Sequence, residues 1–362
     1  MLETFIKIVL IVGVIMTAAA YFVLVERWMA AWVQMRRGPN RVGIPLTNIK
    51  LFGLGQPLAD GLKFIFKEEY EPAHVDRKLY LLAPLMIMAS ALAIFAVIPF
   101  GHVIPPIRWL GQTESTPLIA APSMDVGLIY VFALSSIGVY GVILGGWSSN
   151  NKYSFLGGLR SSAQLISYEL PLGLGILGIA LAASSLRLDA IIEYQAKTGV
   201  WFAFVQPLGL VVFVVAAFAE AARLPFDLPE AEQELIGGYH TEYSGMKLLL
   251  FLTAEFIHMI TASFLIAIMF FGGWQVPFLY GDGFHFGTPN GTPDLAVPYA
   301  LVILLRIGSM IIKTLFFVWL QFMMRWTLPR FRYDQIMTLG WKILLPLGLA
   351  NLVVTALFSA IF

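Results

Sequence analysis

The chain has 362 residues, of which 59% are apolar and 12% charged, and its formal net charge is +1. Soluble domains run nearer 45–50% apolar and roughly 25% charged, so a mean hydropathy of +0.80 excludes an ordinary soluble domain, and so small a net charge offers no global field for nucleic acid or an acidic partner. There is no cysteine, which excludes disulfides, thiolate catalysis and any Cys-ligated zinc or iron–sulfur centre on this chain.

Crossing an apolar layer of about 30 Å takes roughly 20 helical residues. Runs of that length lie near 3–25, 80–99, 124–146, 161–183, 200–219, 247–271, 296–322 and 341–361. They predict an all-α membrane protein, a single integral membrane unit over 1–362 with about eight transmembrane helices. The first run is too long for a signal-peptide core. Glu26-Arg27-Trp28 follow it in place of a small-residue cleavage site, so it reads as a retained helix.

The connections carry the rest of the pattern. In the first, 44–79, residues Leu54, Leu58, Leu62, Ile65 and Phe66 fall at helical spacing, and Gln56, Asp60, Lys63 and Lys67 form a separate polar stripe. That predicts an amphipathic surface helix on the cytoplasmic side. The fifth connection, 220–245, sets Glu220, Asp227, Glu230, Glu232, Glu234 and Glu242 against a single arginine, Arg223. The stretches 100–122 and 272–294 are rich in Pro and Gly and read as irregular connectors. Seventeen of the 23 cations lie in or beside the odd-numbered connections, four lie on the other side, and two, Arg306 and Lys313, lie within the seventh span. By the positive-inside rule the odd connections are cytoplasmic and both termini face outward.

Ionisable side chains within a bilayer are costly and mark functional pathways by default. Glu169 falls nine residues past Arg160 and Glu255 eight past Lys247, at matching depth in the fourth and sixth spans. His258 is one turn beyond Glu255 on the same face, and Arg306 and Lys313 are two turns apart on one face. Such groups suit a proton relay, because a carboxyl in apolar surroundings exchanges protons nearer neutrality than one in water. Internal salt bridging is the plainer account of any one of them taken singly. Gly173-Leu174-Gly175-Ile176-Leu177-Gly178 fits the dinucleotide pattern, but it lies inside an apolar span with no strand before it, so close helix packing explains it better. His74, His102 and His285 are scattered and read as loop or interface residues. No nucleophile-and-base constellation and no metal set is evident, so no catalytic residue in the covalent sense is assigned.

Several motifs together resemble one family. They include Glu26-Arg27, the run Arg36-Arg37-Gly38-Pro39-Asn40-Arg41-Val42-Gly43, and Gln56-Pro57-Leu58-Ala59-Asp60-Gly61-Leu62-Lys63. Ser149-Asn150-Asn151-Lys152-Tyr153, Gln164-Leu165-Ile166-Ser167-Tyr168-Glu169, Pro225-Phe226-Asp227-Leu228-Pro229-Glu230, Gly238-Tyr239-His240-Thr241-Glu242-Tyr243 and Pro329-Arg330-Phe331-Arg332-Tyr333-Asp334-Gln335 continue them in order to near the C-terminus. They resemble the H subunit (NADH dehydrogenase subunit 1) of respiratory complex I. The resemblance implies eight spans with outward termini and a place where peripheral and membrane arms join. It implies a quinone chamber edged by Arg27, Arg36, Gln56, Asp60 and Lys63, close to the terminal iron–sulfur cluster of a neighbouring subunit. It further implies an acidic path through Glu220, Asp227, Glu230, Glu232, Glu234 and Glu242, continued into the membrane by Glu169, Glu255 and Lys313.

The implied substrate is a quinone. Flavin and iron–sulfur clusters would sit on partner subunits: the one with the terminal cluster, a peripheral quinone-site subunit and small membrane subunits. Extra residues around 44–51, against compact organellar versions, favour a bacterial inner membrane over a mitochondrial one. Two other readings stay open: the equivalent subunit of a membrane-bound hydrogenase, and a stand-alone ion transporter using Glu169 and Glu255.

Overall fold

The computed structural model describes residues 2–43, 52–101, 118–121, 124–228, 236–280, 283–285 and 295–361. Its long helices are α1 (Leu2–Val33), α3 (Arg77–Ala93), α4 (Gly127–Ser148), α5 (Lys152–Ala183), α9 (Gly245–Phe271), α10 (Tyr299–Thr327) and α12 (Leu345–Ile361). Shorter ones are α2 (Gln56–Phe66), α6 (Leu188–Thr198), α7 (Phe202–Val205), α8 (Pro207–Glu220) and α11 (Tyr333–Thr338), which runs through a π turn at Leu339–Leu344 into α12. Among the described residues the only sheet is an antiparallel pair, Gly283–Phe284 with Leu295–Ala296.

Seven helical segments, with α11 to α12 counted as one, are long and apolar enough to cross a bilayer. The remaining predicted run, 200–219, is helical in two pieces. It is split at Gln206 (φ −128°, ψ 62°), leaving α7 and the 14-residue α8. The cause is Pro207, which disfavours α geometry at the residue before it and is itself tolerated only in a helix's first turn. Two boundaries also move in ways that matter. Helix α1 runs on to Val33, so Glu26 and Arg27 stand on a helix and not in a loop. Helix α5 begins at Lys152, nine residues before the apolar run, capped by the Asn151 side chain, which accepts from the Tyr153 N–H.

Helix α9 is the hub. It packs against α1, α3, α8 and α10, and 83% of its most apolar eighteen-residue stretch is buried, against 17% for α1. Polar groups on α9 therefore face protein and not lipid. Helix α4 slots between α3 and α5 through glycines, as helices without a hydrophobic drive between them require. A Cβ on Gly141 would lie 2.3 Å from Ile87, and one on Gly146 would lie 2.8 Å from the Ser154 carbonyl. Within the glycine-patterned run of α5, Gly175 meets α8 at Phe213 and Gly178 meets Gln206 and Asn351, whereas Gly173 faces open space.

Helix α2 keeps Leu58, Leu62, Ile65 and Phe66 exposed, an unburied apolar stripe on a helix beside α1 and α9. Helix α6 falls outside the eight apolar runs, although its signal is present in the sequence. Leu188, Ile191, Ile192 and Gln195, all buried, follow i, i+3, i+4, i+7 spacing up to Gly199, whose φ of +68° ends the helix.

Candidate functional site

Two cavities meet at one carboxylate. The larger, about 1010 Å³, lies between the end of α1, the return of the chain over 36–42, the start of α2 and one face of α9. The return segment is held by Trp28, whose indole N–H donates to the Pro39 carbonyl at 3.0 Å. Gly38 is needed there, since a Cβ would fall 2.4 Å from the Trp28 ring. Arg27, Arg36, Arg37, Arg41, Arg223 and Arg325 all line this space.

One buried acid organises the cluster. Glu26, 7% exposed, accepts from Arg223 at 2.9 Å and from Arg325 at 2.5 Å. The Arg223 guanidinium also lies 3.7 Å above the Phe256 ring. At the mouth, Arg27 pairs with Asp60 at 2.7 Å, and the Gln56 amide donates to the same carboxylate at 3.0 Å. Lys63 lies apart, exposed on α2, with its ammonium over the Phe64 ring at 5.0 Å.

The smaller cavity, about 50 Å³, is lined by Ser135, Gly138, Glu169, Glu220, Tyr239, Glu255 and His258 among others. That is room for more than one water. A further space of about 20 Å³ adjoins it at Ser135, Glu220 and His258. Helix α4 supplies two adjacent hydroxyls, Ser135 donating to Glu220 and Ser136 to Glu169. Tyr239 donates to Glu255 at 3.1 Å. His258 packs against α4 at Gly138, where a Cβ would sit 3.6 Å from the imidazole Nε2, an ordinary contact distance. Glu255 lines both cavities.

The other acids take separate places. Asp227 is buried and paired with Arg330 at 2.7 Å, tying the stretch after α8 to the α10–α11 connection. Glu242 accepts from the Asn151 amide at 2.6 Å, and its backbone carbonyl accepts from the Tyr80 hydroxyl. Next to it Tyr243 stacks on Tyr80 at 4.1 Å, and burial pushes its phenol up to about 12. Glu71, before α3, is held below the usual carboxylate range by the hydrogen bond from Lys247. Glu230, Glu232 and Glu234 lie outside the described residues. Lys313 is remote from Glu255: its ammonium donates to the carbonyls of Phe271, Gly273 and Gln275 at 2.7–2.9 Å. That caps the far end of α9, sixteen residues and roughly 24 Å along the helix from Glu255.

Sequence reasoning did not single out Ser135, Ser136 or Tyr239 as partners of these carboxylates. The only sequence signal for the serines is a pair of adjacent hydroxyls in the middle of an apolar run.

The Tyr239–Glu255 contact rests on a tight crossing. A Cβ on Gly157 would lie 2.7 Å from the Gly238 Cα and 2.8 Å from the Tyr239 nitrogen. Backbone meets backbone there, so neither side can yield cheaply. Gly157→Ala is expected to destabilise the protein by about 1–3 kcal/mol and to raise amide exchange across 236–243. An unchanged melting temperature with unchanged exchange would show that the crossing tolerates a methyl group.

The sequence profile described as NADH dehydrogenase matches residues 6–356. NADH-quinone oxidoreductase subunit 8 of Rhodothermus marinus is 46% identical over 357 residues, covering 98% of this chain and 96% of the relative. The H subunit of the NADH-quinone oxidoreductase of Leptospira biflexa serovar Patoc is 46% identical over 361 residues, covering 98% and 94%. The H 2 subunit of the Geobacter sulfurreducens enzyme is 46% identical over 349 residues, covering 96% and 94%. With likeness of this depth over nearly its whole length, the chain belongs to the NADH dehydrogenase family, alongside the H subunits of NADH-quinone oxidoreductase.

Proposed function

We propose that this chain forms part of the quinone chamber of a proton-translocating NADH–quinone oxidoreductase and carries the electrostatic consequence of quinone reduction into the membrane through buried carboxylates. One observation carries the reading: Glu255 belongs to the wall of the arginine-rich cavity and to the wall of the small cavity that holds Glu169, Glu220 and His258.

Reduction of a quinone takes two electrons and two protons and passes through anionic species. The electrons come from an iron–sulfur cluster on a partner subunit, since this chain has no cysteine to hold one. A negative charge arising beside Arg27, Arg36 and the Glu26–Arg223–Arg325 cluster is stabilised by those cations. It raises the energy of ionised Glu255 on the same wall, and that push grows as the local dielectric falls. Glu255 answers by taking a proton, with the Tyr239 hydroxyl fixing its position. Water in the small cavity then links it to Glu220 and Glu169, whose serine hydroxyls both donate and accept. Glu230, Glu232, Glu234 and Glu242 extend the acidic path on the chamber side, and Lys63, exposed on α2, adds positive charge to the approach outside the cavity wall. Asp227 serves by holding the stretch after α8 in place. Lys313 acts at the opposite membrane surface, as a later station. The chamber face, with α2 and the arginines, is cytoplasmic and both termini are periplasmic, in a bacterial inner membrane.

Asp60→Asn tests the chamber. It removes the charge that pairs with Arg27 while keeping the shape and the contact with Gln56. In the assembled complex, quinone reductase activity is expected to fall several-fold while electron transfer from NADH to a soluble acceptor stays near wild type. Equal loss of both activities would mean impaired assembly and would remove Asp60 from the chamber.

A further inference from the structure

At the end of the protein remote from α2, a cleft of about 700 Å³ opens between α6, α7, the segment after α9 and the first turns of α10. At its wall stands Arg306, seven residues and roughly 10 Å below the start of α10 and only 8% exposed. Its guanidinium lies 5.1 Å over the Trp274 ring. Among the described residues no carboxylate pairs with it and no carbonyl accepts from it. An arginine so buried is costly unless its charge is matched, because a ring face satisfies none of its five N–H donors.

A second group points the same way. His285 is 6% exposed, lines the same cleft, and its Nδ1 has no partner among the described residues. Its backbone N–H already donates to the Phe278 carbonyl at 2.9 Å and its ring packs edge-on to Tyr280 at 5.2 Å, so the imidazole is held in place with a free nitrogen. Lys197 adds positive charge at the rim and Glu193 a negative one. Lys313 is excluded as a ligand, since its ammonium is occupied by three carbonyls.

We propose that this cleft binds the phosphodiester headgroup of an anionic phospholipid, with Arg306 as the anchor and His285 as a second donor. A guanidinium fork matches two oxygens of a phosphate. The cleft is far larger than a free inorganic anion, and its walls, Trp201, Trp274, Phe204 and Phe278, suit a glycerol and the upper acyl chains at the depth where aromatic residues meet the headgroup region. Phe204 and Val205 beside it are exposed, which continues the apolar surface outward into lipid. A partner carboxylate would have to reach Arg306 below the helix start across that apolar surface, so lipid is the better occupant.

The test uses the whole detergent-purified complex, delipidated and then supplied with phosphatidylglycerol, phosphatidylcholine or inorganic phosphate. Native mass spectrometry is expected to show one more tightly held phosphatidylglycerol in the wild type than in Arg306→Gln. Phosphatidylcholine should give no such difference, and excess phosphate should not displace the lipid. A headgroup-photoactivatable phosphatidylglycerol added to the wild-type complex should label the peptide around Arg306, a readout that does not depend on the variant's assembly. Equal retention by both proteins, displacement by free phosphate, or a cross-link from this site to a carboxylate of another subunit in place of lipid would overturn the proposal.

Discussion

Glu255→Gln is expected to lower quinone-coupled proton translocation on the order of 100-fold, the size of a lost general acid–base group, while NADH oxidation by a soluble acceptor continues. Glutamine keeps the hydrogen bond from Tyr239 and nearly the same volume, so the cavities persist. What it cannot do is bind and release a proton. Glu255→Asp should restore part of the coupling, since it keeps the titratable group one methylene further from Tyr239. Quenching of a pH-sensitive dye in sealed vesicles, set against quinone consumed, measures the ratio. If protons moved per quinone are unchanged in Glu255→Gln, the carboxylate at the junction of the two cavities is no part of the path. Tyr239→Phe should act in the same direction and more weakly, because it removes the hydroxyl that orients the acid and leaves the acid itself.

Glu26→Ala is expected to cost about 3–5 kcal/mol, the range for breaking a buried ion pair by removing one partner, and to deplete the assembled complex in membranes. The reason is the imbalance it leaves. Arg223 and Arg325 both converge on this carboxylate, and Arg223 is itself buried. Without Glu26 two guanidinium groups face each other, and among the described residues only the Phe256 ring remains to Arg223. The companion experiment separates charge from packing. Removing Arg223 as well, in Glu26→Ala/Arg223→Met, should recover part of the loss, because the buried unmatched charge is gone. Thermal denaturation of four purified complexes, the wild type, Glu26→Ala, Arg223→Met and the double variant, gives the coupling energy. A double variant no more stable than the sum of the singles would show that Glu26 acts through shape alone.

Much of the fold was legible because lipid imposes a simple rule. A backbone in an apolar layer must satisfy its own hydrogen bonds, so an apolar run of twenty residues is a helix, and seven of the eight runs are long helices. The remaining run breaks at Pro207, a residue visible in the sequence whose effect on Gln206 is local and steric. Of the candidate site residues, Gln56 and Asp60 share the polar stripe that their i, i+4 spacing predicted, whereas Arg27, which only the family resemblance had grouped with them, pairs with Asp60 across from α1. Glu169, Glu220 and Glu255 sit on α5, α8 and α9, and their convergence depends on how three helices are rotated about their axes. Hydropathy carries no information about that rotation.

Composition and hydropathic period were enough to establish an all-α membrane chain, the positions of its spans, the connection that forms an amphipathic helix, and the presence of ionisable groups within the spans. All of these are properties of neighbours along the chain. Packing in three dimensions was needed to show that Glu26 holds two arginines, one from α10 and one from the stretch after α8. It was needed equally to show that Ser135 and Ser136 each take a carboxylate from a different helix, and that Lys313 caps α9 far from Glu255. Each is a contact between residues distant in sequence, set by where glycines let helices approach and by which face each helix then turns inward.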